Sequence, residues 1–516
     1  MSSPRFGIWS VIRQSVAGVL IYFFLILCLG YEYGSGDQVE FIPLLRDNLS
    51  HGYFDRDFFV QNYLYAGHGI RQGMIWLCDL GDAFFDRQWY FWFLHFFFAM
   101  ASIFGALRLI SVFSSNLAVR IAVVGIVWGL LYGVNLGGNE VYYPQLLPSL
   151  VAKSFLIWAL VAFIWKKDFV WPVLILTGST FQDMAALQML ILLSGTVVIL
   201  FLSKYFSGRS SGDKLFSRVD ILQIVAFIGV LAVFIYLKRD LFASGSSDKE
   251  SHFLVDVLLW RVAHHFDPTS FSLRNFLVFA LFIPPALWLM RGKSKRLFFL
   301  TILILAGCIV YASVFRSVPS IILTQWFKTT IWLKLICFSS VLCLFLDVMV
   351  NWNKKNKLNV QTAILTACLI LAIFKGPLRH ISYQLPFTHW EKNDEILIAQ
   401  LARQKSSKDA LFVIPPDNTT FKIWGLRSCY VDYKSTVFDA GVLRKWMLRL
   451  DEVYGIGLDD AGGFSAYPVM RSGYNAFLSH PDSLKEHNIS HFISEDIFSQ
   501  YRLLAEQGRW RLYSVR

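Results

Sequence analysis

The chain has 516 residues, of which 55% are hydrophobic and 16% aromatic, and its formal net charge is +12. Charged residues make up only 16% of it, below the roughly 25% of soluble domains, and apolar stretches long enough to cross about 30 Å of hydrocarbon recur along most of its length. This composition excludes an ordinary soluble protein and predicts an α-helical polytopic membrane protein. An excess of basic residues is typical of the cytoplasmic loops of such proteins, so it does not indicate nucleic-acid binding.

Eleven apolar segments are predicted to span the membrane. They are residues 15–31, 89–107, 119–135, 147–165, 168–178, 184–203, 219–237, 275–290, 297–314, 329–350 and 358–375. The fifth is short for a full crossing, so a re-entrant or broken helix paired with the sixth is the alternative there.

Alternate loops between these segments are short and basic. They are the loops at 108–120, 166–168, 204–218, 291–296 and 351–357. The positive-inside rule therefore predicts that the N-terminus is cytoplasmic and that the C-terminal tail lies outside. Without the fifth crossing, the strongest basic clusters would fall outside, so eleven crossings are favoured.

Three long segments fall on the outer side, namely 32–88, 238–274 and the tail from 376 onwards. Long connections of this kind tend to be functional. In the tail, "DEILIAQLARQ" and "GVLRKWMLRLDEVYG" predict helices, whereas "ALFVIPP" and "RWRLYSV" predict strands. The sequence thus predicts a transmembrane domain over 1–375 and a small external α/β domain over 376–516, which has no catalytic motif of its own.

The first outer segment places several carboxylates directly after the first span. An interfacial helix is predicted in "VEFIPLLRDNLSHG", with one apolar side made of Phe41, Leu44, Leu45 and Leu49. Asp37 lies in a glycine-flanked turn before this helix, and Asp57 follows its far end. A carboxylate at the bilayer edge can act as a general base or hold a divalent cation. The alternatives are helix capping for both residues, or a pair between Asp57 and Arg56.

This arrangement resembles the GT-C superfamily of membrane glycosyltransferases, which includes protein O-mannosyltransferases and bacterial aminoarabinose transferases. Its members share a multi-span core with the N-terminus inside and an acidic residue soon after the first span, and many add an external C-terminal domain. "GSGDQVEFIPLLRDNL" matches that pattern, with Asp37 at the place of the catalytic acid and Glu40 one helical turn on. The usual Asp-Glu pair is Asp37-Gln38 here, which leaves open whether Mg²⁺ or Mn²⁺ is used. Oligosaccharyltransferase catalytic subunits also belong to the superfamily, but no WWDxG motif occurs in this sequence, which argues against that member.

The resemblance implies a polyprenyl-phosphate-linked sugar donor, whose phosphate needs cations near the outer ends of the spans. In "LLWRVAHHFDP", Arg261, His264 and His265 are predicted on one helical face, because positions i, i+3 and i+4 are neighbours. A plain interfacial helix is the alternative, and a metal site at the two histidines would have poor ligand spacing.

Further cations occur along the chain. Arg316 ends the ninth span, Lys328 begins the tenth, and Lys153 lies inside the fourth. Ionisable residues inside a membrane are functional candidates, although lysines near a helix end can instead extend to the interface.

Two further groups complete the candidate site. Glu140, in "LGGNEVYYP", is a candidate second acid, and its glycines either allow close approach of a substrate or make the turn. In the tail, "FKIWGLRSCYVDYKS" is predicted to form a strand pair, from which Arg427 and Lys434 are candidates for substrate binding.

The function predicted from these features is transfer of a sugar from the lipid-linked donor to a glycan, lipid or protein acceptor on the outer face of the bilayer. The alternatives are a multi-pass transporter or lipid flippase, and a non-catalytic subunit of a glycan assembly complex. A transporter usually shows internal repeats with broken helices in both halves, and only one short span is found. The tail lacks a disulfide framework, which favours the bacterial inner membrane with a periplasmic C-terminal domain.

Overall fold

The computed structural model describes residues 8–45, 52–66, 72–82, 86–167, 169–206, 248–352, 357–376, 381–387 and 393–515, with single positions between 225 and 236. Most of the predicted seventh span, most of the loop at 204–218, residues 238–247 and Leu49 lie outside these ranges.

The chain forms two compact units. The membrane unit comprises residues 1–31, 92–245 and 264–384, and the sheet unit comprises residues 32–91, 246–263 and 385–516. The whole of the first long segment predicted between spans, 32–88, and residues 246–263 of the second thus group with the C-terminal tail.

Apolar helices make up the membrane unit. In the described part of the chain they are Ile8–Leu29, Arg87–Ile110, Leu117–Val124 with the π-helical turn Gly125–Leu130, Pro148–Ile164, Val170–Ser179, Asp183–Phe206, Leu273–Lys293, Lys295–Val314, Thr330–Leu333 with the π-helical turn Lys334–Phe338 and the helix Ser339–Trp352, and Lys357–Lys375. Short turns Pro319–Ile322 and Trp326–Thr329 precede the last long span.

Six of these helical stretches are long and apolar enough to cross a bilayer, and four are shorter. Together they coincide with every predicted span except the seventh. Large apolar side chains are exposed along them, such as Leu20, Phe97, Val173, Leu281 and Ile309. An apolar surface of this extent needs a lipid cover, so the chain is a multi-pass membrane protein.

The sheet unit contains a mixed five-stranded sheet. Its strands are β1 (Leu411–Val413), β2 (Ser428–Cys429), β3 (His491–Ser494), β4 (Arg502–Gln507) and β5 (Trp510–Ser514). Their order is β2-β1-β3-β5-β4, with β1 parallel to β2 and β3, and β5 antiparallel to β3 and β4. Its helices are Phe58–Ala66, Gln72–Asp82, Asp248–Phe266, Asp394–Lys405, Phe421–Gly425, Ala440–Tyr454, Tyr467–Leu478 and Pro481–Glu486, the third of which continues into the membrane unit.

Local sequence signals explain the longer helices of the tail. The Asn393 side chain accepts a hydrogen bond from the Ile396 amide, and the Asp439 side chain accepts one from Val442, as N-cap residues do. Gly455 ends its helix with a φ of +61°, which glycine adopts without strain. The two helices and the two strands predicted in the tail are confirmed.

One hydrophobic core explains why the sheet unit draws on three stretches of chain. Phe54 and Phe59 from the first stretch pack with Val257 from the second and with Trp446 and Phe492 from the tail. Burial of large apolar side chains is the main force that holds such a unit together.

Two predicted elements differ from the structure in their described residues. Over residues 39–45 the predicted interfacial helix is broken into the turn Gln38–Phe41 and the 3₁₀ turn Ile42–Leu44, because Pro43 lacks an amide proton and Leu45 is extended, and residues 46–51 of the prediction lie outside the described ranges. All of these residues are buried, so the turn has no polar side. The strand pair predicted in "FKIWGLRSCYVDYKS" is instead a short helix and the two-residue strand β2, separated by Leu426 in the left-handed region.

Candidate active site

Asp37 is an exposed acid of the sheet unit. It follows Gly34 and Gly36, whose φ angles are +77° and +57°, and it precedes the turn Gln38–Phe41. Its carboxylate makes no capping hydrogen bond to that turn. Instead, its Oδ1 lies 3.1 Å from the Lys434 Nζ, and the two side chains are 53% and 32% exposed. The capping alternative for Asp37 is therefore wrong.

A second charge pair holds the backbone beside Lys434. The Arg261 guanidinium donates a hydrogen bond to the Lys434 carbonyl oxygen and lies 3.9 Å from the Glu40 carboxylate. It also stacks over the Trp446 ring at 5.5 Å. Arg261 and Glu40 are both buried. Arg261 thus lies between the Glu40 carboxylate and the Lys434 backbone, whereas the Lys434 side chain pairs with Asp37 at the solvent-exposed surface.

Asp57 lies in the interior of the sheet unit, in a buried charge triad. Lys422 lies 3.8 Å from Asp57 and 2.7 Å from Asp432. Asp57 also accepts hydrogen bonds from the Val60 and Cys429 amides, so the structure bears out its capping alternative. Burial raises the pKa of the Asp57 carboxyl. Burial alone would lower the pKa of the Lys422 ammonium, but the two carboxylates outweigh it and raise that pKa.

This triad positions the Lys434 loop. The Asp432 carboxylate accepts a hydrogen bond of 2.5 Å from the Ser435 amide, and its carbonyl accepts one from the Trp446 indole. Lys422 is not among the residues predicted from the sequence, although a lysine inside the apolar stretch "FKIWG" is a signal for a buried partner. The triad acts on the exposed pair by ordering the backbone between Asp432 and Ser435.

Arg427 serves the fold of the tail. Its guanidinium donates hydrogen bonds to the carbonyl oxygens of Arg403, Ser406 and Leu426, and to the Ser406 hydroxyl. A buried arginine that binds several carbonyls fixes the local chain path, which is a different use from the predicted contact with substrate.

Glu140 belongs to the membrane unit and is paired with Lys334. The Lys334 ammonium lies 2.8 Å from both carboxylate oxygens and donates a third hydrogen bond to the Leu131 carbonyl. Glu140 also accepts from the Gly133 amide and the Asn135 side chain. Lys334 is not among the residues predicted from the sequence, although a lysine in the middle of the span "TIWLKLICF" indicates a functional residue with a charged partner.

Lys153 holds the same loop from the fourth span. Its ammonium donates to the Asn139 side chain at 2.6 Å, to the Glu140 carbonyl at 2.5 Å and to the Tyr143 hydroxyl at 3.5 Å. An ammonium has three protons, so these contacts occupy all of them. The side chain is fully buried and does not extend to the interface.

The shared helical face predicted for Arg261, His264 and His265 is wrong. The helix Asp248–Phe266 leaves helical geometry at Val262, with φ −137° and ψ 45°. The i, i+3 and i+4 relation holds only in an unbroken helix, so it fails across this residue.

The adjacent histidines instead pack against Gly137 and Gly138, in the loop that carries Glu140. His265 Nδ1 lies 2.9 Å from the Gly137 carbonyl oxygen. A Cβ atom on Gly138 would lie 2.7 Å from His265 and 3.0 Å from His264. Both glycines have positive φ angles. They therefore make the turn and allow close approach of protein side chains.

The remaining two cations differ in exposure. Arg316 is 69% exposed and lies 3.5 Å from the Asp267 carboxylate. Lys328 lies in the turn Trp326–Thr329, and its carbonyl accepts a hydrogen bond from Asn139.

Among the residues that the structure describes, the side chains around Asp37 do not form a ligand set for Mg²⁺ or Mn²⁺. Divalent cations of this kind take several oxygen ligands, whereas a cation, the Lys434 ammonium, lies beside the Asp37 carboxylate. Within the described ranges, no three His, Cys, Asp or Glu side chains come together as a metal site.

Comparison with known proteins gives two partial similarities. Residues 393–453, which include Lys422, Asp432 and Lys434, match the profile of a domain of unknown function, DUF6798. No curated protein matches the chain in sequence. Among solved structures, the chain is similar to an oligosaccharyltransferase of Archaeoglobus fulgidus that was crystallised with a tethered acceptor peptide, at 10% identity and a TM-score of 0.44, over 94% of this chain and 69% of that one.

Proposed function

We propose that this chain is a membrane glycosyltransferase of the GT-C type, which moves a sugar from a polyprenyl-phosphate-linked donor to an acceptor on the outer, periplasmic face of a bacterial inner membrane. The observation that carries the proposal is the exposed Asp37 carboxylate, which follows the first span, does not cap a helix and is paired with Lys434. A carboxylate used as a base must be reachable by the acceptor, and Asp37 meets that condition.

In the proposed reaction, Asp37 takes the proton of the acceptor hydroxyl or amine while that atom attacks the anomeric carbon of the donor sugar. The bond between this carbon and the phosphate oxygen breaks, and the polyprenyl phosphate leaves with the bonding electrons. Lys434 orients the Asp37 carboxylate through their 3.1 Å contact. Glu40 and Arg261 act as positioning residues through the Lys434 backbone.

We further propose that Arg316 and Lys328 bind the donor phosphate. Arg316 is the more exposed of the cations predicted for this role. Lys153 and Arg427 donate their hydrogen bonds to protein acceptors, so we assign both residues a structural role instead of phosphate binding.

The test is Asp37→Asn in protein reconstituted into liposomes with a panel of polyprenyl-phosphate hexoses and a mixed glycan acceptor. We expect turnover to fall by about 10²-fold or more, the usual effect of losing a general base, with donor binding unchanged. Asp55→Asn is the matched control, because Asp55 is an exposed acid of the same segment, and it should keep full turnover. Near-native turnover of the Asp37 variant would contradict the assignment of the base.

A further inference from the structure

A polar cleft of about 550 Å³ lies within the sheet unit, apart from the Asp37 pair. Its lining includes Gln400, Arg403 and Gln404, which share one face of the helix Asp394–Lys405 because they are spaced i, i+3 and i+4. Gln88 lines it from another helix. The volume falls within the range of about 300–1,000 Å³ that small-molecule sites occupy.

The cleft is positively charged. Within the part of the chain that the structure describes, no carboxylate lies at ion-pair distance from Arg403, which lies 5.9 Å from the Tyr53 ring. Arg87 is a second cation of the lining. The acid of the cleft, Asp86, accepts hydrogen bonds from two backbone amides at the start of its helix. This distribution of charge favours an anionic ligand.

The other lining groups favour a ligand with hydroxyl groups. Each glutamine amide offers two donor hydrogens and an acceptor oxygen, which suits neighbouring hydroxyls. The Tyr33 and Trp424 rings meet edge to face with their centroids 5.7 Å apart, and they provide an apolar surface for the C–H face of a sugar ring. Ile423 and Leu426 are buried apolar residues of the lining.

We propose that this cleft binds an anionic saccharide, that is, a sugar carrying a carboxylate or a phosphate. Arg403 binds the anion, and the glutamines bind the hydroxyl groups. The cleft would hold part of the acceptor glycan in the transferase reaction; that role rests on the proposed function, whereas the binding itself does not.

Binding to the full-length protein in detergent micelles tests the proposal, with isothermal titration calorimetry and four probes: glucose 1-phosphate, glucuronic acid, glucose and inorganic phosphate. We expect both anionic sugars to bind more tightly than glucose or phosphate alone, and the stronger of the two identifies the anion. Arg403→Gln should raise the Kd of the anionic sugars at least tenfold, about 1.4 kcal/mol, and leave that of glucose unchanged. Gln404→Ala should weaken all three sugars but leave inorganic phosphate unaffected.

Lys405→Gln is the matched control, because Lys405 is an exposed cation of the same helix that does not line the cleft. Equal losses in the Arg403 and Lys405 variants would show general charge attraction and overturn the proposal. The same conclusion would follow from an absence of saturable binding, or from inorganic phosphate binding as tightly as the sugar phosphate. Asp37→Asn should bind every probe normally, which separates a failure of this cleft from a failure of the proposed base.

Discussion

Charge pairs in this protein differ in what they contribute. Asp37 and Lys434 are partly exposed, and such a pair adds at most about 1 kcal/mol to stability. Replacing either residue therefore tests function without unfolding the chain. Glu140 and Lys334 are buried, and each has further hydrogen bonds to the loop after residue 130. Removing one of them leaves an uncompensated charge in an apolar surrounding.

The buried pair can be tested through stability. We expect Lys334→Met to lower the free energy of unfolding by about 3–5 kcal/mol, because Glu140 then lacks its counter-charge. The double variant Glu140→Gln, Lys334→Met should regain at least half of the loss, since the glutamine oxygen still accepts from Gly133. Thermal unfolding in one detergent measures both effects. Lys295→Met, at an exposed lysine, is the control, and an equal loss in this variant would refute the prediction.

His491 predicts a pH dependence of the sheet unit. Burial, aided by Arg427, lowers the pKa of its imidazole to about 4. In the unfolded chain the imidazole binds a proton with its ordinary pKa of about 6.5. The contribution of neutral His491 to the free energy of unfolding is therefore fully present above that pH and is lost as the pH falls towards 4. We expect the free energy of unfolding to fall by about 1 kcal/mol between pH 6.5 and 5, after allowance for solvent screening of the partly exposed ring.

The measurement is the unfolding midpoint of the wild type and His491→Gln across that range. The variant should show a flatter pH profile, with the difference confined to pH values below about 6.5. Parallel profiles would assign the acid sensitivity to another group.

At the scale of elements, two π-helical turns are joined by a single side chain. Lys334 opens the turn Lys334–Phe338 and donates to the carbonyl of Leu131, which directly follows the turn Gly125–Leu130. Turns of this width are often found at functional sites, and a backbone group freed inside a membrane protein needs a partner. The Leu131 carbonyl also accepts a hydrogen bond from the Val134 amide, and Lys375 donates to the Gly129 and Leu130 carbonyls, so two lysines bind the carbonyl groups at the end of the first wide turn.

The orientation of the spans gives a prediction at the same scale. Gly292 lies in the last turn of the helix Leu273–Lys293, where nothing lies within 4 Å of an added Cβ atom, and Asp459 is exposed in the sheet unit. With the basic loops inside, a membrane-impermeant thiol reagent should label Asp459→Cys in intact cells but label Gly292→Cys only after permeabilisation. The native cysteines are all buried and give little background. Labelling of position 292 in intact cells would reverse the topology.

At the scale of the molecule, the properties that were predictable are those decided locally. Hydropathy in a window locates the spans, and the capping residues Asn393 and Asp439 locate two helices of the tail. The partners of Asp37 and Asp57 were not predictable, because Lys434 and Lys422 come to them only through tertiary packing. The periodicity applied to Arg261 failed at Val262, where the sequence carries no glycine or proline to signal a break.

The pairing of Asp37 with Lys434 joins positions 397 residues apart in the sequence, and this separation has a consequence for biosynthesis. At about 5–20 residues per second, the ribosome adds Lys434 roughly 20–80 s after Asp37. Throughout that interval Phe54 and Phe59, which end in the common core, have neither Trp446 nor Phe492 to pack against. The segment that follows the first span must therefore be shielded until translation ends, and a premature stop codon late in the gene would expose it permanently to aggregation and proteolysis.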